Sequence, residues 1–198
     1  MEYPKFNHKD YIGLNGTSEG QILHPHFEKW QDWFIKFYIP PKNKIALFIP
    51  CAAIKPYFNS PIHKIINNNL ENYDDKIHKI VISNAGVIPY EFSDKYPFNS
   101  YDWNPVTETE LIKEKYYEIT KDRLYNYLKK HTSYNGYISY LRQDSISFRS
   151  LIDACNDLNL QLHHQTLKEE IEQNKDSDLV LIYPDNLITL EKMIEETL

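Results

Sequence analysis

Between Pro50 and His63 the chain gathers a thiol, an ammonium, a phenol, a hydroxyl and an imidazole: Pro50-Cys51-Ala52-Ala53-Ile54-Lys55-Pro56-Tyr57-Phe58-Asn59-Ser60-Pro61-Ile62-His63. A thiolate is a strong nucleophile, and a nearby ammonium or helix N-terminus is a usual means of lowering a thiol's pKa. Cys51 is therefore a candidate nucleophile for covalent catalysis, with Lys55 placed to activate it, to hold an anion, or to polarise an electrophile. The other reading of Cys51 is a small buried residue that closes a strand, as free cysteines commonly are. Tyr57 is suited either to stacking and hydroxyl donation or to packing. Ser60 before Pro61 has the pattern of an N-cap and first helical residue, and a capped helix start also suits an anion. His63, on the first turn of that helix, is a candidate acid–base group near neutral pH, or else a lone surface or half-buried histidine.

These residues need a scaffold, and the apolar periodicity supplies one. Ile45-Ala46-Leu47-Phe48-Ile49 reads as a buried strand that delivers Cys51 at its carboxyl end, where open α/β sheets bind ligands. Before it, Pro25 starts a helix with Phe27, Trp30, Phe34 and Tyr38 at helical spacing, stopped by Pro40-Pro41, and this stripe reads as core rather than as a base-stacking surface. After it come a helix over 61–70 and a second strand, His78–Ser83. The stretch 84–102 is rich in Pro and aromatics and reads as a long functional loop. Thr107-Glu108-Thr109-Glu110 has the spacing of a capping box that opens a helix to about Lys130. Further along lie a strand at 136–141, a helix at 146–157, a short strand at 160–163, a polar helix at 166–174, a strand at 179–183 and a terminal helix from Leu187. Alternating strands and helices predict one α/β domain over residues 1–198, with a mainly parallel central sheet and an irregular lead-in at 1–20.

Composition narrows the function. The chain has 198 residues and a net charge of −6, which argues against autonomous, tight nucleic-acid binding. Lys113, Lys115, Lys121, Arg123, Lys129 and Lys130 share one predicted helix but are interleaved with Glu110, Glu114, Glu118 and Asp122, which reads as an exposed face of mixed charge. Two cysteines, Cys51 and Cys155, make neither a disulfide framework nor a four-ligand zinc site. His163 and His164 are adjacent, so on a strand they face apart and define no metal pair. No Gly-rich phosphate loop is present, and neither metal nor cofactor is expected. No apolar run reaches the length of a membrane span and the first residues lack a signal-peptide pattern, so a cytoplasmic protein is expected.

Pro50-Cys51-x-x-x-Lys55-Pro56-Tyr57-x-x-Ser60-x-x-His63 resembles the signature of the catalytic domain of archaeosine synthase, the archaeal relative of tRNA-guanine transglycosylase. A second block looks like the same family's next segment: Ile82-Ser83, Gly86-Val87-Ile88-Pro89-x-Glu91, Tyr96-Pro97 and Tyr101-Asp102. The chain departs from the expected pattern at Ala52, in place of a serine, and at Tyr90, in place of a basic residue. The resemblance implies a three-layer α/β/α fold similar to uracil-DNA glycosylases. It also implies a transferase that adds the side-chain amine of free lysine to the nitrile of 7-cyano-7-deazaguanine in tRNA, with a radical-SAM partner protein releasing archaeosine. The C-terminal part shows no clear RNA-binding appendage, so tRNA is expected as a partner either directly or through another subunit.

A nitrile is attacked by a thiolate to give a thioimide that an amine displaces, which assigns Cys51, Lys55 and His63 to catalysis. Tyr57, Ser60, Asn84, Gly86, Glu91, Tyr101 and Asp102 would then bind substrate. In that pocket Gly86 would let a flat ligand approach the backbone. Asn84 would read the amide edge of a guanine-like base, and Glu91 and Asp102 would take its amino edge or the lysine ammonium. Solvated loop acids remain the other reading of those carboxylates. Two other functions remain open: a glycosylase-like enzyme acting on another base, and a non-catalytic nucleobase- or tRNA-binding subunit.

Overall fold

The apolar run from Ile45 to Ile49 lies at the centre of the molecule, as a stretch without polar alternation must. The computed structural model describes residues 2–7, 9, 13–168 and 177–198. In chain order its elements are β1 (Leu14–Asn15), α1 (Glu19–Ile22), α2 (Pro25–Lys36), β2 (Ile45–Pro50), α3 (Pro61–Asn69), β3 (Ile77–Ser83) and β4 (Gly86–Pro89). There follow β5 (Tyr101–Asp102), α4 (Glu110–Lys130), β6 (Gly136–Ser139), α5 (Ile146–Asp157), β7 (Leu162–His164) and α6 (Pro184–Thr197).

Five strands form one sheet in the order β4-β3-β2-β6-β7. β2 pairs in parallel with β3 on one side and with β6 on the other, and β6 pairs in parallel with β7. Only the edge strand β4 runs antiparallel. The chain therefore steps outward from β2 to β3 in one direction and from β6 to β7 in the other. Right-handed crossovers then put α3 and α5 on opposite faces of the sheet. The packing agrees: α4 contacts α2, α5 and β4, whereas α3 contacts the turn at 177–182, which in turn contacts α6. The arrangement is α/β with a mainly parallel sheet, compatible with three α/β/α layers. Its strand order reverses at β2 and β6, and Cys51 leaves the carboxyl end of β2 at that switch point, where such sheets open a crevice.

Several local expectations change. Residues 86–89 are a strand, not loop, because the two-residue turn Asn84-Ala85 and Gly86 at φ 130° fold Val87 and Ile88 back onto Ile82 and Val81. The run 179–183 is not a strand: Ser177–Ile182 forms a 3-10 turn that buries Leu181, whose carbonyl accepts the Tyr140 hydroxyl. Thr109, not Thr107, caps α4, because Asn104-Pro105 first forms a 3-10 turn that ends at Thr107. On α4, Arg123 is buried and donates to the Ile22 carbonyl and to Glu28, so that helix is not an entirely exposed face. The lead-in is not irregular throughout: β1 pairs with β5 and Thr17 donates to the Asn104 carbonyl, which straps the N-terminal segment to the 101–107 region. The polar helix expected at 166–174 lies largely outside the described residues.

Candidate functional site

Cys51 follows the last residue of β2 and is half-buried against the core. Burial pushes its thiol up to about 11, the nearby Lys55 opposes this, and Asp178 adds to it. The expected activation by Lys55 is thus present in sign but outweighed by desolvation. Lys55 is itself half-buried, and the same cause lowers its pKa, while Cys51 and Asp102 pull it upward. Its ammonium lies 4.0 Å from the centre of the Tyr101 ring and donates to the Ala53 carbonyl at 3.4 Å. Among the described residues it has no carboxylate within ion-pair distance.

Three phenols surround the thiol. Tyr57, Tyr101 and Tyr116 are all pushed upward, first by burial and further by charge on Cys51. The Tyr57 and Tyr101 hydroxyls are 2.6 Å apart, and both phenols interact with the Ser83 hydroxyl at the carboxyl end of β3. This network joins the first chemistry-bearing segment to the second. Tyr116, from α4, is fixed by a 2.8 Å hydrogen bond between its hydroxyl and that of Ser147.

Helix α3 turns the next residues inward. Ser60 caps it, its hydroxyl accepting the His63 amide at 3.3 Å, with Pro61 at the first position. The cap sets His63 on the buried face of the first turn. There its Nε2–H donates to the Pro50 carbonyl at 3.0 Å, between the rings of Tyr57 and Tyr90.

The second segment is divided between two places. Tyr101 stands beside Lys55, and Asp102, exposed, acts on Lys55 electrostatically while accepting the Trp103 amide at 2.9 Å. Asn84 sits half-buried in the turn after β3, its side-chain amide unpaired among the described residues. The close approach at Gly86 comes from Gln31 of α2: a Cβ on Gly86 would lie 2.2 Å from its Nε2. Gln31 Oε1 accepts the Val87 amide at 3.0 Å, so protein, not ligand, occupies that side of the glycine. Glu91 does not join the thiol. β4 carries the chain back along β3, so Glu91 pairs with His78 Nε2 at 3.1 Å and accepts the Tyr38 hydroxyl at the opposite end of that strand. His78 and Ser83 lie five residue steps apart along β3, about 16 Å at ~3.3 Å per residue. Burial raises the Glu91 pKa, but the bonds from His78 and Tyr38 outweigh it and leave the carboxyl below its usual range.

Sequence reasoning missed Ser83, Tyr116, Gln31 and the acids Glu108 and Asp178, whose charges reach Cys51. Ser83 carried a weak signal, as a hydroxyl ending the strand beside β2. The others come from helices and turns distant in the chain, and no local pattern marks them. Cys155 is buried in α5, with its thiol pushed up to about 12 by desolvation. The described residues contain no group of three or more His, Cys, Asp or Glu side chains arranged to hold a metal ion, and none of their helices is long and apolar enough to cross a membrane.

A half-buried thiol, an amine of lowered pKa and a set of hydroxyls thus meet at the switch point of a mainly parallel sheet in an α/β domain. The chain belongs to the family described as Domain of unknown function (DUF5591), which matches residues 27–182. A stretch of 172 residues is 25% identical to archaeosine synthase subunit alpha of Thermoplasma acidophilum, covering 83% of this chain and 32% of that protein. Over 66 residues it is 36% identical to the protein of the same name in Methanosarcina acetivorans, covering 33% of this chain and 11% of the relative. Over 81 residues it is 30% identical to that of Thermococcus kodakarensis, covering 38% and 14%. The chain therefore spans about a third of the first relative's length or less. In fold it is similar to the crystal structure of AF0587, a protein of unknown function, with a TM-score of 0.56 and 17% identity over 83% of this chain and 49% of that one.

Proposed function

We propose that this chain is an archaeosine-synthase-like transferase of tRNA modification that joins the side-chain amine of lysine to the nitrile of 7-cyano-7-deazaguanine. The observation that carries the reading is the Cys51–Lys55 pair at the carboxyl end of the central strand, in a chain similar over most of its length to a protein named archaeosine synthase subunit alpha. Within this reading the sheet would share the topology of uracil-DNA glycosylases and receive a modified base at the switch point.

The reaction balances without a cofactor. The Cys51 sulfur bonds to the nitrile carbon while the Lys55 ammonium gives a proton to the nitrile nitrogen and takes up the thiol's proton, giving a thioimide. The lysine amine then adds to that carbon and the C–S bond breaks, returning the thiol and leaving an amidine. The thiol, pushed up to about 11, keeps its proton until it attacks, and burial lowers the pKa of Lys55, which makes its ammonium the readier acid toward the nitrile nitrogen. Tyr57, Tyr101 and Ser83 would orient the base edge, Asn84 would read its amide, and Asp102 would attract the incoming ammonium. Release of archaeosine would fall to a radical-SAM partner protein. The net charge of −6 favours a second arrangement, in which the chain is a base-binding subunit and a partner supplies the tRNA contacts.

The covalent step is open to direct trapping. Intact-protein mass spectrometry after incubation with the nitrile-bearing nucleoside, without lysine, should show one adduct of the nucleoside's mass on wild-type protein and none on Cys51→Ala. An adduct on both, or on neither, rejects the thioimide.

A further inference from the structure

We propose that His63 is a positioning residue: its imidazole clamps the Pro50 carbonyl, fixes the peptide plane from which Cys51 presents its thiol, and carries no proton in the reaction. The inference rests on Cys51 being the reacting group, but its test reads the thiol itself and needs neither tRNA nor lysine.

Both ring nitrogens are accounted for. A carbonyl only accepts, so the Pro50 bond fixes the proton on Nε2. That leaves Nδ1 as a lone pair, fully buried and without a hydrogen-bond partner among the described residues. An acid–base catalyst needs a path from its exchanging nitrogen to the substrate. Here one nitrogen is spent on the backbone and the other is enclosed by protein.

The surroundings hold the ring neutral. Tyr57 stacks on one face at 5.4 Å between centroids and Tyr90 on the other at 5.6 Å. Lys79 of β3 lies 5.5 Å from the Tyr90 ring and adds repulsion toward a second proton. Burial is the larger cause, and together they bring the imidazole down to about 4, offset in part by the Pro50 bond. Tyr90, at the position where a basic residue was expected, closes the pocket that keeps His63 uncharged.

The geometry explains the Ser60-x-x-His63 spacing. A Ser60 cap puts His63 at the third helical position, on the face turned back toward the end of β2. Pro50 is the last residue of that strand, paired with Ile82, and beyond it no ladder bond orients the chain. The Pro50 carbonyl and the Cys51 amide share one peptide plane, so holding the carbonyl sets the direction in which Cys51 departs. Glutamine at position 63 can still donate to that carbonyl but cannot titrate, which separates positioning from proton transfer.

The test is the rate of iodoacetamide alkylation at Cys51 across pH, read by peptide mass spectrometry in wild type, His63→Gln and His63→Ala, with buried Cys155 as an internal gauge of folding. Wild type and His63→Gln should share one pH midpoint and similar rates, whereas His63→Ala should change the rate by about tenfold while Cys155 stays protected, the worth of one hydrogen bond. In parallel, the His63 ring resonances of wild type should not titrate between about pH 5.5 and 8.5. A His63 midpoint near its ordinary value, or loss of a limb of the alkylation profile in His63→Gln, overturns the proposal. Should His63→Ala expose Cys155, wild type and His63→Gln still decide it.

Discussion

The Lys55 ammonium lies 4.0 Å from the centre of the Tyr101 ring, so the loop after β2 and the segment ending the second chemistry-bearing stretch meet at one cation–aromatic contact. The contact holds the ammonium close to the thiol without a carboxylate partner. Lys55→Gln should slow Cys51 alkylation at pH 8 by about tenfold, since no cation then stabilises the thiolate. Lys55→Arg should restore most of that rate but not lysine transfer, because a guanidinium is too weak an acid to protonate the nitrile nitrogen. Equal rescue of both rates by arginine would make Lys55 electrostatic only.

Tyr57 and Tyr101 share a 2.6 Å hydrogen bond in a site where Tyr57 is fully buried. Tyr57→Phe keeps the ring that stacks on His63 and removes one hydroxyl, while Tyr101 keeps Ser83. The expected cost is about 1 kcal/mol, a melting point lower by about 2–4 °C, measured by thermal unfolding. Tyr101→Phe, at a position also buried, should cost about as much stability and weaken nitrile-nucleoside binding more.

What was legible in the residues themselves was local. An apolar run without alternation announced the central strand, and Ser60-Pro61 announced the start of α3 to the residue. Helix α5 was readable from its apolar spacing, and the chemistry-bearing segment was readable from its side chains. Strand order was not, because nothing between β3 and β6 states on which side of β2 the chain returns. For the same reason Glu91 looked like a neighbour of Asp102: only the hairpin at Asn84-Ala85 reveals that β4 carries it to the far end of β3. The run at 179–183 has strand composition, but burial of Leu181 against Tyr140 is satisfied by a 3-10 turn.

Gly86 adopts φ 130°, and a Cβ there would meet Gln31 Nε2 at 2.2 Å. Gly86→Ala should therefore destabilise the protein by about 2–4 kcal/mol, from backbone strain plus overpacking. Adding Gln31→Ala should recover only the steric part, since the backbone strain remains. Urea denaturation of the single and double variants measures both, and full recovery in the double would show that φ contributes nothing.

Acid should weaken the fold in two separate windows. His63 is depressed to about 4, so its contribution is fully present above its unfolded value near 6.5 and is lost as pH falls toward its folded value. At about 1.4 kcal/mol per pH unit this is roughly 3 kcal/mol, absent in His63→Gln. Glu91 is also lowered by His78 and Tyr38, so its contribution persists above the unfolded carboxylate value near ~4.3 and fades only below it. Glu91→Gln should leave the upper window unchanged and flatten the lower one, read from unfolding free energies across pH.

Lysine transfer to a nitrile through Cys51 can be read on tRNA itself. tRNA bearing 7-cyano-7-deazaguanine, incubated with isotope-labelled lysine and wild-type protein, with any partner subunit supplied, is digested and its nucleosides weighed. The expected product is a modified nucleoside heavier by one whole lysine, absent with Cys51→Ala. No mass increase with wild type would contradict it, and a full increase with Cys51→Ala would remove the thiol from the reaction.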